Sequence, residues 1–323
     1  MIYALTCNIV FKANDRRGDI VITRCTEILV ESTWKERTTR ATLVLPRNVR
    51  FFDKHKVGEV FRRGDGVQIY FGYNGYNDFV FEGYISSVSA DIPITIEFED
   101  EMFKVGKLPV NFSSGNVSLD KLLATIAPGY EVDALEGVQL GAVRLAKTQV
   151  GPVLEKLQSD WGLYTYMRDK KIVCGKYYAG DTNIPIPVFH LERNCVSTAL
   201  NYKKREDISL KIKAVSTLRN GTKIEVTDIG DREGNERTLT FYNITLKAEL
   251  TRLAKLEYEK YKVDRFDGSF TTFGIPPVKH GMKVSIESTL YGDRNGIYYV
   301  EKVVKRFGSG GIRQEITLGD KVG

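Results

Sequence analysis

The sequence is poor in the residues that build metal sites, disulfide frameworks and many catalytic sites. It contains four cysteines and three histidines in 323 residues. Cys7, Cys25, Cys174 and Cys195 lie far apart, whereas zinc sites and disulfide frameworks need closely spaced ligands or a high density of cysteine. No histidine has a cysteine or acidic partner at the spacing of a ligand pair. We therefore predict no metal and no cofactor, and four thiols that behave as small apolar residues.

Long apolar runs and a concentrated excess of charge are also absent. No run approaches the roughly 18 apolar residues of a membrane-spanning helix, and the first residues lack the basic region and apolar core of a signal peptide. The net charge is +6, and the basic residues are spread along the chain instead of forming a stripe. These features predict synthesis in the cytoplasm, no membrane partner and no specific nucleic-acid partner.

Motifs of nucleotide-binding proteins, zinc proteases and serine hydrolases do not occur in the sequence. The acidic cluster of Glu97, Glu99, Asp100 and Glu101 resembles the paired carboxylates of a glycosidase. Like charges along a solvated strand face are the ordinary explanation of such a cluster. We predict that the protein is not an enzyme, and a polysaccharide hydrolase stays as the third alternative.

Alternating apolar residues predict strands over most of the first hundred positions. Strands are expected at 20–30 and 41–45, and an antiparallel meander at 67–72, 79–88 and 94–100. The Asn-Gly pair in the segment 73–78 is a turn signal between the first two meander strands. Tyr73, Tyr76 and Phe79 in and beside this turn are the candidate contact surface, because tyrosines at a turn supply rigid amphipathic area; an outer core position for Phe79 is the alternative.

The middle of the sequence changes from strand to helix periodicity. Helices are predicted at 118–129, with Ser118 as the N-cap, and at 149–161, with Gly162 as a left-handed C-cap. A hairpin follows at 163–178. Strands return from about 181, interrupted by a long amphipathic helix at 245–262 with Leu246 and Leu250 on its buried face.

Two segments of the chain, 62–100 and 278–320, resemble each other. Counted from Gly64 and Gly281, a valine lies at +3, an isoleucine at +5 and an aromatic residue at +17 in both. Chance similarity of two β-meanders is the alternative to a true duplication. The defining residues are Val67, Ile69 and Phe81 in the first copy and Val284, Ile286 and Tyr298 in the second.

The stretches 246–286 and 61–88 resemble the baseplate hub family of phage tails. This family includes the late-control D proteins, the Mu-like tail proteins, the T4-type central hub and the N-terminal part of the type VI secretion spike. In 246–286 the resemblance rests on an amphipathic helix followed by a glycine-rich strand, a Gly-x-Pro and a Val-x-Ile strand. In 61–88 it rests on the G-D-x-V and F-x-G-x-I/V pattern. It implies a homotrimer around an axial channel.

The predicted fold class is α+β and predominantly β, with two related β-barrel-like domains of the tail-tube type flanking a small α/β module. The predicted domains are 1–110, 111–180 and 181–323. The resemblance implies a structural hub that joins a hexameric tail tube protein to a separate trimeric spike protein, with a tape-measure protein as a further partner. Assembly in a virion tail or injection device would follow synthesis. A carbohydrate- or surface-binding tail-tip adhesin is the first alternative.

Overall fold

The computed structural model describes residues 4–46, 60–89, 92–178 and 185–322. The main element is one sheet of 13 strands, beside which lie three smaller sheets of two or three strands each. Helices are few and short by comparison, so the predicted class, α+β and predominantly β, is confirmed. Within the described part of the chain, no helix is both long enough and apolar enough to cross a membrane.

The N-terminal strands surround one apolar core. They are β1 (Leu5–Phe11), β2 (Ile20–Ile22), β3 (Glu27–Thr33), β4 (Arg40–Leu45), β5 (Gly66–Tyr73), β6 (Tyr76–Val88) and β7 (Ile94–Glu99). Alternate residues point inward, as Ala41, Leu43 and Leu45 do in β4. Because the inward residues of six of these strands meet in a single cluster, the sheet curls around that cluster.

The meander predicted over 67–100 is confirmed, because β5, β6 and β7 are consecutive antiparallel neighbours. Asn74 and Gly75 join β5 to β6 with positive φ angles, as a tight hairpin turn requires. The single strand predicted over 20–30 is wrong. β2 pairs with β1 and β3 pairs with β4, so these two strands lie at opposite ends of the N-terminal strand order and the chain must leave the sheet between them.

A small α/β unit follows, with a core of its own. Its elements are α1 (Met102–Val105), β8 (Pro109–Ser118), α2 (Leu119–Ile126), β9 (Glu131–Ala134), β10 (Gln139–Gln149), α3 (Val150–Trp161), β11 (Thr165–Arg168) and β12 (Lys171–Cys174). Both predicted helices are present, and Gly162 has the predicted left-handed conformation, with φ at 67°. Leu154 and Leu157 of α3 pack into the core of this unit.

The C-terminal part of the chain adds two further cores. Its elements are β13 (Val188–His190), β14 (Cys195–Lys203), β15 (Leu210–Thr217), β16 (Lys223–Gly230), β17 (Asn235–Tyr242), α4 (Lys247–Tyr261), β18 (Arg265–Phe273), β19 (Lys283–Glu287), β20 (Gly296–Gly308) and β21 (Gly311–Lys321). One core belongs to the strands of the large sheet. The other lies between α4 and the separate sheet of β15, β16 and β17.

Helix α4 is present where it was predicted, but its buried face is narrower than expected. Leu250 and Ala254 are fully buried against the β15–β17 sheet, whereas Leu246 is 69% exposed. The placement of Leu246 on the buried face is therefore wrong. Leu246 precedes the first helical residue and has extended backbone angles, so the helical period does not apply to it.

The large sheet runs in the order β14-β18-β21-β20-β3-β4-β7-β6-β5-β1-β2, and β19 and β13 branch from β20. The order β3-β4-β7-β6-β5-β1 in the N-terminal part is matched by β14-β18-β21-β20-β19-β13 in the C-terminal part. The corresponding pairs are antiparallel in both, except that β1 pairs with β5 antiparallel and β13 pairs with β19 parallel. The strand order thus repeats, and the β15–α4 unit is inserted between β14 and β18 of the second copy.

Candidate functional site

The two glycines that define the sequence repeat occupy equivalent positions. The N–H of Gly64 donates to the carbonyl of Ile85 at 2.8 Å, and the N–H of Gly281 donates to the carbonyl of Val300 at 2.8 Å. Both glycines have positive φ, at 92° and 81°, a region that side chains with a Cβ rarely adopt. Each therefore ends a turn that aligns the next strand with its hairpin partner.

The valines and isoleucines of the repeat are also equivalent, because Val67, Ile69, Val284 and Ile286 are all fully buried in the first strand of their hairpins. The equivalence of Phe81 with Tyr298 is wrong.

Phe81 lies opposite Ile69, at +5, whereas Tyr298 lies opposite Val284, at +3. The first hairpin holds two more residues between its glycine and the hydrogen-bonded partner of that glycine, so equal spacing along the chain does not give equal register.

The repeat extends across four strands in register. Ser87 of β6 lies opposite Glu97, Glu97 opposite Thr42, and Thr42 opposite Leu29. The second copy has the row Lys302, Thr317, Ser269, Ala199 at the corresponding positions. A register shift stands immediately before each row, between Ile85 and Ser87 and between Val300 and Lys302. A β-bulge kept at the same place in both copies supports a common origin.

The two copies join edge to edge within the chain. β3 of the first copy pairs antiparallel with β20 of the second, from Thr33 opposite Lys302 to Glu27 opposite Gly308. Lys302 also forms an ion pair with Glu31. Phe307 of β20 enters the core of the first copy, where its ring centroid is 5.5 Å from that of Phe71. This junction makes the two copies one continuous sheet.

The aromatic residues proposed as a contact surface lie on two faces of the β5–β6 hairpin. Tyr73 and Tyr76 are paired across its turn, and Tyr76 is 86% exposed. Phe79 points to the other face, half exposed, with its ring centroid 5.5 Å from that of Tyr70. The hairpin therefore brings the two tyrosines together and separates Phe79 from them. Their role as an interface stays a prediction.

A cavity of about 260 Å³ lies beneath this turn, between the two copies. It is lined by Tyr73, Tyr76 and Asp78 on one side and by Ile275 and Lys305 on the other. Burial, with a smaller contribution from nearby Lys279, lowers the pKa of Lys305 to about 8. The carboxylate of Asp78 acts on this pKa in the opposite direction.

Sequence reasoning missed this lysine, although its place on β20 between Val303 and Phe307, two buried residues of the same strand face, was a usable signal.

The residues of the acidic cluster have different hydrogen-bond partners. Glu97 is exposed and accepts a hydrogen bond from the Ser87 hydroxyl at 2.7 Å. Glu101 accepts hydrogen bonds from the hydroxyls of Tyr84 and Tyr130, at 2.7 and 2.8 Å.

Asp100 is buried, which raises its pKa to about 7, and its carboxylate accepts from the N–H groups of Thr39 and Met102. These three acids turn to different structural partners.

The described residues hold no group of three or more His, Cys, Asp or Glu side chains that is arranged to bind a metal. Of the four cysteines, Cys7 and Cys174 are buried, and Cys25 and Cys195 are half-buried. His280 is buried against the ring of Tyr166, with the ring centroids 5.0 Å apart. These side chains pack within the protein. The most distinctive feature of the structure is the duplicated sheet with its edge-to-edge junction.

No protein-family model and no curated protein sequence matches this chain. Solved structures of similar fold cover almost all of it. A tail protein from Neisseria meningitidis is similar with a TM-score of 0.63 at 12% identity, covering 99% of this chain and 97% of that one. The 43 kDa tail protein of prophage MuSo2 from Shewanella oneidensis is similar with a TM-score of 0.59 at 16% identity, covering 97% and 98%.

A third similar structure is the E. coli c3393 protein, described as a component of the type VI secretion system with structural similarity to the T4 tail proteins gp27 and gp5. Its TM-score is 0.55 at 8% identity, covering 97% of this chain and 76% of that one. The chain therefore has the fold of phage tail proteins of this kind, and the resemblance to the baseplate hub family is confirmed at the level of the fold.

Proposed function

We propose that this protein is a structural hub of a phage tail baseplate or related injection device. Three chains would form a ring of six similar β-domains that adapts a hexameric tail tube to a separate trimeric spike. The observation that carries the proposal is the repeated six-strand order, with equivalent registers and an equivalent bulge in both copies. A trimer of a duplicated domain offers threefold symmetry to one partner and near-sixfold symmetry to another.

The similar structures support a role of this class, since they are a tail protein, a prophage tail protein and a type VI secretion component. The proposal uses no catalytic residue. The tail tube protein, the spike protein and a tape-measure protein are its expected partners, and the 86% exposed Tyr76 belongs to a candidate contact surface for one of them.

The experiment that tests the proposal is light scattering of the purified chain over a wide concentration range, with electron microscopy of the main species. We expect three times the chain mass of 36.5 kDa and a six-lobed ring in projection. The tube protein encoded in the same genome should bind one face of this ring. A chain that stays monomeric at all concentrations, with and without the tube protein, would overturn the proposal and favour an adhesin.

A further inference from the structure

The junction inside the chain has a definite geometry. β3 is the first strand in the strand order of the first copy. It pairs with β20 of the second copy, along the part of β20 that follows its pairing with β19. The docking residues of β20 begin at Lys302, one step after the bulge at Val300. This junction therefore joins the outer edge of one copy to the long hairpin of the other.

β14 is the counterpart of β3 in copy two, and its outer edge has no strand partner among the described residues. It pairs with β18 alone, along its whole length. Val196 is 46% exposed, and Ser197, Thr198 and Ala199 are exposed as well. A nine-residue edge with a row of unpaired backbone N–H and C=O groups is a template for a further strand, and proteins leave such edges open where another chain covers them.

The matching acceptor in copy one is the end of β6. In the rows of paired residues described above, Ser87 of the first copy corresponds to Lys302 of the second, and Val88 corresponds to Val303. On the side of β5, backbone pairing with β6 ends at Ile85, whose N–H donates to the carbonyl of Asp65. The described strands thus leave Ser87 and Val88 uncovered on the side where Lys302 and Val303 receive β3.

We propose that β14 of one chain pairs antiparallel with the end of β6 of a second copy of this chain, which rests on the proposed hub function. The register that repeats the internal junction places Lys203 opposite Ser87 and Tyr202 opposite Val88, because Lys203 and Tyr202 correspond to Thr33 and Ser32. The second β-domain of each chain then pairs with the first β-domain of the next chain. This is a head-to-tail contact, which can close into a ring.

Charge complementarity supports the association of these two edges. Lys203 and Lys204 stand at the end of β14. Ser87 lies beside exposed Glu97 in its own sheet, with Glu99 two residues further along β7. The proposed pairing leaves only β6 between these carboxylates and Lys203, which forms an ion pair with Asp267 in its own chain. Charges of opposite sign near two approaching edges steer the association of the chains.

Engineered disulfides test the register directly. Residues opposite each other in an antiparallel pair have Cα atoms about 4.5–5.5 Å apart, within the range that a disulfide spans. The double variant S87C/K203C is oxidised in the full chain, and S87C/V196C is the matched control, since seven residues displace the second cysteine by about 23 Å along the strand. A second pair, V88C/Y202C, is tested in parallel, and circular dichroism checks the folding of each variant.

We expect covalent dimers and trimers from both matched pairs, formed at least tenfold faster than from the displaced pair. A chain that is trimeric by light scattering but links no matched pair faster than the control would overturn the edge pairing and leave the hub proposal standing. A chain that is monomeric and forms no interchain link in any variant would overturn both.

Discussion

His280 is a buried residue whose ionisation opposes folding. Among the described residues, neither of its ring nitrogens has a hydrogen-bond partner. Burial first, and then the charges of Arg168 and Lys279, lower its pKa to about 4, while the carboxylate of Asp169 acts in the opposite direction. The folded protein therefore holds the imidazole neutral between pH 6.5 and 4, a range in which the unfolded chain protonates it.

Because the unfolded state binds more protons in that range, stability falls as the pH drops from 6.5 through 4. We expect the wild type to lose about 2–3 kcal/mol more than the variant H280L over this interval. Urea unfolding at pH 7, 5.5 and 4.5 measures the difference. An equal loss of stability in the wild type and in H280L would contradict this role of His280. The carboxylates that both proteins contain would then account for the whole pH dependence.

Lys305 has the same kind of effect on stability at the alkaline end of the pH scale. Its pKa is lowered to about 8 in the folded protein and is ordinary in the unfolded chain, so the folded state releases its proton first as the pH rises. The cost of burying the charge is complete below pH 8 and disappears between pH 8 and about 10.5. Stability should therefore contain a rising component across that interval.

The variant K305M removes this component. We expect it to be more stable than the wild type at pH 7 by about 2 kcal/mol, with the two converging near pH 10.5. K302M is the control on the same strand: its ion pair with Glu31 is partly exposed, so its loss should cost about 1 kcal/mol or less. A destabilised K305M at pH 7 would show that the lysine has a favourable partner.

At the scale of elements, α4 holds the inserted β15–β17 unit together. Leu250 is fully buried in the small cluster that this helix forms with the sheet. The variant L250A should lower the free energy of unfolding of this unit by about 3 kcal/mol, through lost burial and the cavity left behind. Hydrogen exchange of β15 and β16 amides measures the loss locally. L246A, at a 69% exposed position immediately before this helix, should change it by less than about 0.5 kcal/mol.

The sequence predicts elements well where one local period decides them. The stripe of Val153, Leu154 and Leu157 gives α3 and its left-handed cap at Gly162 without any tertiary information. Prediction from the sequence fails where the pairing of distant strands decides the structure. Nothing local in 20–30 shows that β2 and β3 belong to different ends of the strand order.

Register is the same kind of failure: Phe81 and Tyr298 have equal spacing in the sequence but face different partners. The candidate site was predictable in part for the same reason. The Asn-Gly turn predicts where Tyr73 and Tyr76 lie. The junction of β3 with β20 joins residues 269 to 281 positions apart, and the period of the sequence carries no information about such contacts.

At the scale of the whole molecule, the internal junction predicts that the two copies unfold together. Phe307 is carried by the second copy and buried in the core of the first. F307A should therefore lower the stability of the first copy by about 3–5 kcal/mol and increase hydrogen exchange in β1 and β5. F273A, a half-exposed phenylalanine of β18, is the control and should leave those amides unchanged. Exchange that rises only in β18 to β21 would contradict a shared core.

The unit from β15 to α4 has no counterpart between β3 and β4, which a short connection joins. In a ring of six identical chains, any added decoration would appear six times and would preserve the sixfold symmetry of a tube. In the proposed trimer, a fused pair of unequal copies would place this decoration at three positions and leave three bare. A change in the inserted unit would then alter every second position of the ring and leave the others unchanged. A ring of six identical subunits does not permit this.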